Sequence, residues 1–267
     1  MISNAEYSQK RRTAPPQPGF WERLSRRGKW FLGITAAYAL FLHLGLGVVL
    51  AKSNFIDEVK RKAGFKPASQ EFDSVFRQSQ HWWVRLDEIT EPNSILLLGD
   101  SQLLGLNLKN LPKDVMNFGV SGDTTERLVR RLPSINSVNT ASAVFLSVGI
   151  NDLVFRDVEE TIEKYREVLE FIPVDMPLAM STVFPIDESL EDRTTNDVIR
   201  RLNDAIRALC NNRDACQLVD VTKSMTDAQG QLNAEYHTGD GLHLSKAGYA
   251  IWREAIRPVM EGLVAEL

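Results

Sequence analysis

Residues 92–267 predict an α/β domain: a five-stranded parallel sheet with helices on both faces, a three-layer α/β/α sandwich. Three observations carry this. Five short runs are apolar throughout, as strands buried on both faces are. Helix-like stretches with apolar residues three and four apart lie between them. Glycine and small polar residues follow several of the runs, where turns belong.

The strands are expected at residues 94–98, 115–118, 143–148, 178–183 and 217–221. The helices are expected at Glu126–Arg131, at Val158–Phe171 through Ile162, Tyr165, Val168 and Leu169, at Thr195–Leu209 through Val198, Leu202, Ile206 and Leu209, and at Lys246–Leu263. In such sheets ligands bind beyond the carboxyl ends of the strands.

Ahead of this domain the composition changes. Residues 30–51, WFLGITAAYALFLHLGLGVVLA, contain no Lys, Arg, Asp or Glu. At about 1.5 Å per residue they can cross the ~30 Å hydrocarbon layer as one helix. The run is apolar on every face, unlike an amphipathic core helix. Twenty-nine residues precede it and Leu50-Ala51-Lys52 is a poor cleavage site, so an uncleaved anchor is expected rather than a signal peptide. Lys10, Arg11, Arg12, Arg23, Arg26, Arg27 and Lys29 precede the run. Lys52, Lys60, Arg61, Lys62 and Lys66 follow it, interspersed with Asp57 and Glu58. That bias predicts a single-pass protein with a cytoplasmic N-terminus and an extracytoplasmic body, periplasmic or at the cell surface. Residues 1–29 read as a basic, mostly disordered cytoplasmic tail, and 52–91 as a helical connector packing onto the body. Trp82 and Trp83 in the connector are expected in the core or an interface, with the membrane surface or a substrate as the other places for them.

The net charge of −4 gives no general attraction to nucleic acid, and none is expected as a partner. No 20–50-residue period repeats, which excludes a solenoid or propeller. Two cysteines, Cys210 and Cys216, bound the stretch CNNRDAC. They could form a disulfide or remain two thiols at a helix end. A zinc site is disfavoured, because no second Cys or His pair stands at ligand spacing.

Four short motifs carry the chemistry, three just past predicted strand ends and one before the last helix. Gly99-Asp100-Ser101 turns the chain sharply and offers a hydroxyl to the crevice, though it is not a G-x-S-x-G elbow because Gln102-Leu103 follows. Asn117-Phe118-Gly119 leads a loop, NFGVSGDTT, in which a glycine allows close backbone approach. Gly149-Ile150-Asn151-Asp152 presents an asparagine amide, with an Asx-turn as its plain structural role. Asp240-Gly241-Leu242-His243 places a carboxylate where it can reach an imidazole and fix its tautomer. Among the other histidines, His43 lies in the apolar run, His81 in the connector, and His237 lacks an acid at that spacing.

In order and over roughly residues 92–265, these four blocks resemble the GDS, N-x-G, G-x-N-D and D-x-x-H blocks of the SGNH, or GDSL, hydrolases. NFGVSGDTTERL and DGLHLSKAGYAIW are most similar to the lysophospholipase/arylesterase and platelet-activating-factor acetylhydrolase-like branch. The resemblance implies a flavodoxin-like sheet in an SGNH hydrolase domain at 92–267, and a serine esterase working through an acyl-enzyme without metal or organic cofactor. Its substrate would be a lysophospholipid or another acyl or acetyl ester. It implies Ser101 as nucleophile, His243 as base and Asp240 as its holder, with an oxyanion hole from the Ser101 and Gly119 backbone N–H groups and the Asn151 side chain. An O-acyltransferase or O-acetylesterase of an envelope glycan, or a binding module with a retired site, would carry the same motifs. One departure is visible: the family's usual leucine after the serine is Gln102 here, a position expected to bear on the acyl pocket rather than the chemistry.

Overall fold

The computed structural model describes residues 19–52, 74–109, 111 and 114–265. Of the expected tail at 1–29, residues 1–18 lie outside the described residues, and the described remainder is largely helical rather than disordered; of the expected connector at 52–91, residues 53–73 lie outside them.

A four-residue helix α1 (Phe20–Arg23) precedes α2 (Arg26–Lys52), which contains the apolar run. The 22 residues Arg26–Gly47 are long and apolar enough to cross a membrane, and none of the residues in their apolar window is buried. Polar side chains within the run return their hydrogen bonds to the preceding turn. Thr35 Oγ1 donates to the Phe31 carbonyl at 2.9 Å, and His43 Nδ1 to that of Ala39 at 2.6 Å. Each thereby satisfies itself without a partner helix.

The body is built on five parallel strands in the order β2-β1-β3-β4-β5. They are β1 (Ile95–Gly99), β2 (Val115–Gly119), β3 (Ala143–Ser147), β4 (Leu178–Ser181) and β5 (Cys216–Val219). This is the expected flavodoxin-like order, with a topological switch at β1, where the chain turns first to β2 and then to β3. Every residue of β1 and β3 is buried. Successive side chains of β1 feed opposite layers: Leu96 and Leu98 enter one core, Ile95 and Leu97 the other.

The first core is closed by α3 (Ser74–Glu88), α5 (Thr125–Arg131), α7 (Val158–Glu170) and α8 (Asn196–Asn211). The second is closed by α4 (Ser101–Leu104), α9 (Thr222–Met225) and α10 (Lys246–Ala265), whose Trp252 meets Phe184 edge-on at 4.9 Å. A short α6 (Asp152–Phe155) follows β3. Side-chain caps start several helices. Thr195 caps α8, and Asp157 with Glu160 forms a full capping box on α7. Cys210 and Cys216 are bonded to each other, tying the end of α8 to the start of β5.

The connector's two tryptophans part ways. Trp83 is 1% exposed, bonds Ser134 Oγ through Nε1 at 3.0 Å and lies beneath the Arg131 guanidinium. Trp82 is 59% exposed. We predict that Trp83→Ala destabilises the chain by ~3–5 kcal/mol, the usual cost of emptying a core aromatic site. Trp82→Ala should stay within about 0.5 kcal/mol. Urea unfolding of both variants in one detergent checks this; equal effects would contradict the packing.

Candidate active site

Gly99 ends β1 against β3. A Cβ there would fall 2.0 Å from the Ser147 carbonyl oxygen, which accepts the Asp100 N–H at 3.2 Å, so only glycine allows this approach. Asp100 then caps α4, its carboxylate accepting the Gln102 N–H at 2.9 Å. Ser101 is consequently the first residue of a helix, and its N–H has no acceptor within that helix. Strand, glycine and cap together aim the Ser101 hydroxyl across the carboxyl end of the sheet.

The loop before α10 meets it. His243 Nε2 lies 3.1 Å from Ser101 Oγ. On the other side of the ring, His243 Nδ1 lies 2.7 Å from Asp240 Oδ2. A carboxylate can only accept there, so Nδ1 carries the proton and Nε2 is left as the acceptor for the serine. Asp240 Oδ1 also accepts the N–H groups of Leu242 and His243, at 3.0 and 2.9 Å. Partial burial raises the Asp240 carboxyl, but its hydrogen bonds to His243 and these backbone groups outweigh burial and bring it down to about 2. Asp240 is therefore ionised at neutral pH. His237 has a different task from His243. It is buried, and its Nδ1 accepts the N–H groups of Gly239 and Gly241, both at 3.1 Å, which shapes the turn carrying Asp240. A carboxylate distant in sequence, that of Asp187, lies 3.8 Å from its Nε2, beyond hydrogen-bond reach.

Just past β3, Asn151 Nδ2 donates one hydrogen to the Asp123 carbonyl at 3.0 Å, and its second meets no acceptor among the described residues. Gly119 differs from expectation. Its N–H donates to Asn117 Oδ1 at 2.8 Å and is spent inside the loop. The glycine with an available N–H is Gly122: it accepts from Arg127 Nη1 at 2.7 Å, but its own N–H meets no acceptor among the described residues. Its φ of +70° is the left-handed conformation that favours glycine. The hint in the sequence was the second glycine of NFGVSGDTT, directly before the buried Asp123.

Two buried ion pairs brace this side. Asp123 meets Arg131 at 2.9 Å, and Asp152 accepts from Arg156 Nη1 at 2.5 Å and from the Thr125 N–H and hydroxyl. Burial pushes both carboxyls up, Asp152 to about 6, with the arginines pulling the other way.

Residues 100–251, more than half of the chain, match the GDSL-like Lipase/Acylhydrolase family. The chain belongs to this family. It is a carboxylic ester hydrolase by that membership. No curated protein matches it. Among solved structures, a platelet activating factor from Streptococcus pneumonia is 28% identical with a TM-score of 0.62, over 70% of this chain and 92% of that one. A GDSL-like lipase from Bacteroides thetaiotaomicron is 18% identical with a TM-score of 0.60, over 70% and 98%. A carbohydrate esterase family 3 protein from Talaromyces cellulolyticus is 17% identical with a TM-score of 0.50, over 65% and 99%. The last two likenesses concern the fold.

In this GDSL-like hydrolase the acid beside the serine is itself unusual. Complete burial pushes Asp100 from the ordinary 3.8 up to about 8, against the pull of the Gln102 N–H and with Asp123 and Asp152 adding repulsion. Between about pH 4 and 8 the folded protein keeps a proton that the unfolded chain releases, so this group's contribution to stability falls as pH rises. Asp100→Asn keeps an oxygen for the cap and removes the titration. Its melting temperature should exceed that of wild type most at pH 8, with the gap closing toward pH 4. A gap that is constant or widens on acidification would contradict the assignment.

Proposed function

We propose that this GDSL-like hydrolase is a membrane-anchored serine esterase acting through an acyl-enzyme, with Ser101 as nucleophile, His243 as base and Asp240 as the group that holds the base. The observation that carries the reading is the continuous line from Asp240 through His243 to Ser101, at 2.7 and 3.1 Å. Ser101 Oγ attacks the ester carbonyl carbon while His243 Nε2 takes its proton. Asp240 stabilises the imidazolium that results. The oxyanion is met by the Ser101 N–H, the free amide hydrogen of Asn151 and the Gly122 N–H, which takes the part expected of Gly119. His243 returns the proton to the leaving alcohol, and water repeats the sequence to free the acid.

The ester it cleaves is an acyl or acetyl ester, a lysophospholipid among the candidates, as its membership of the GDSL-like lipase/acylhydrolase family supports. The proposed anchor is residues 30–51 within α2, with the N-terminus in the cytoplasm and the hydrolase outside. The Cys210–Cys216 bond supports that side of the membrane, since disulfides persist in oxidising compartments.

Fluorophosphonate labelling of the detergent-solubilised chain tests the roles. Wild type is expected to label, and Ser101→Ala and His243→Ala to lose labelling and at least ~10³-fold in kcat for a short p-nitrophenyl ester. Asn151→Ala should lose ~10²-fold in kcat with KM little changed. Undiminished labelling of Ser101→Ala would refute the nucleophile.

A further inference from the structure

We propose that Gln102 is a positioning residue for His243. The inference rests on the catalytic reading of Ser101 and His243 given above. Gln102 follows the nucleophile in α4, yet its side chain turns inward and is 4% exposed. Its amide grips the backbone on both sides of the histidine. Nε2 donates to the Leu242 carbonyl at 2.7 Å, and Oε1 accepts the Leu244 N–H at 3.2 Å. A carbonyl needs a donor and an N–H an acceptor, so the two partners fix the amide's orientation. The Gln102 carbonyl in turn accepts the Tyr249 hydroxyl at 2.8 Å, which adds the first turns of α10.

Asp240 and His237 act within the histidine's own loop. Gln102 instead joins that loop to the helix that carries Ser101, across 142 positions of sequence. Burying an amide is costly unless its hydrogen bonds are made, and an apolar side chain of equal size would fill the space without that demand. What the amide adds is register: it sets where His243 stands along and above α4. A misplacement of about 1 Å between nucleophile and base can cost ~10²-fold in rate.

Two variants of the full chain in detergent test this, with kcat, KM, unfolding temperature and fluorophosphonate labelling rate as readouts. Gln102→Met keeps the volume and loses both bonds. It should lower kcat by ~10–100-fold with KM changed less than about threefold, and the labelling rate should fall in parallel. Gln102→Glu can donate to Leu242 only when protonated, so its kcat as a fraction of wild type should rise as pH is lowered from about 8 to 6. Wild-type kcat in a folded Met variant overturns the proposal, as does a Glu variant whose fraction is independent of pH. If the Met variant does not fold, the Glu variant decides alone. Wild type that neither labels nor turns over would instead overturn the catalytic reading beneath it, a failure visible before either variant is compared.

Discussion

The Ser101 hydroxyl and the His243 ring, 142 positions apart, stand 3.1 Å from each other, and the architecture is organised around that meeting. A parallel sheet sends every strand's carboxyl end to one edge, so loops after β1, β2 and β3 reach the same crevice without long excursions. Gly99 lets β1 run hard against Ser147 of β3 before the turn that presents the serine. The histidine arrives from the far end of the chain on a loop that is held from within by Asp240 and His237, and from below by Gln102.

The opposite wall depends on buried charge. Asp123 and Asp152 lie fully inside the protein, where desolvation works against the ionised form. Arg131 and Arg156 offset part of that cost. The return is geometric. Asp123 lends its carbonyl to the Asn151 amide, and Asp152, the next residue, fastens α6 to the start of α5 through Thr125. α3 takes part although it precedes the matched family region. Phe76 and Trp83 lie under the guanidinium groups of Arg127 and Arg131, and Arg127 holds the Gly122 carbonyl. A cation–π contact thus stands behind each arginine that holds the NFGVSGDTT loop, Arg127 at the Gly122 carbonyl and Arg131 at the Phe118 carbonyl.

The sheet was legible in the sequence because burial on both faces leaves plain apolar runs. Each of the five strands falls within a residue or two of expectation, as do the helices at 158–170, 196–211 and 246–265. The serine, the histidine and its acid were legible because turn residues mark strand ends and Asp240 is local to His243. What stayed hidden depends on contacts across the fold. Gln102 lines a small pocket, as its place suggested, but its bonds to Leu242 and Leu244 could not be read from its own neighbours in sequence. Gly119 and Gly122 are equivalent as letters, and only the Asn117 side chain, which consumes one N–H, separates them. His237 lacks an acid at the spacing that serves His243, as expected, and the carboxylate that does lie near it, Asp187, stands fifty positions away in the chain. Spacing alone left the cysteines open, since a bridge is a matter of how a helix end meets a strand.

The measurement that bears most directly on the line from Asp240 through His243 to Ser101 is the turnover of Asp240→Asn. An amide retains the size and an oxygen for the backbone N–H groups, but it favours the wrong tautomer of the imidazole and adds no charge to steady its protonated form. A folded variant should lose ~10³–10⁴-fold in kcat, as tautomer reversal does in other serine hydrolases. A folded variant within a few-fold of wild type would mean that His243 does not act as the base held by Asp240.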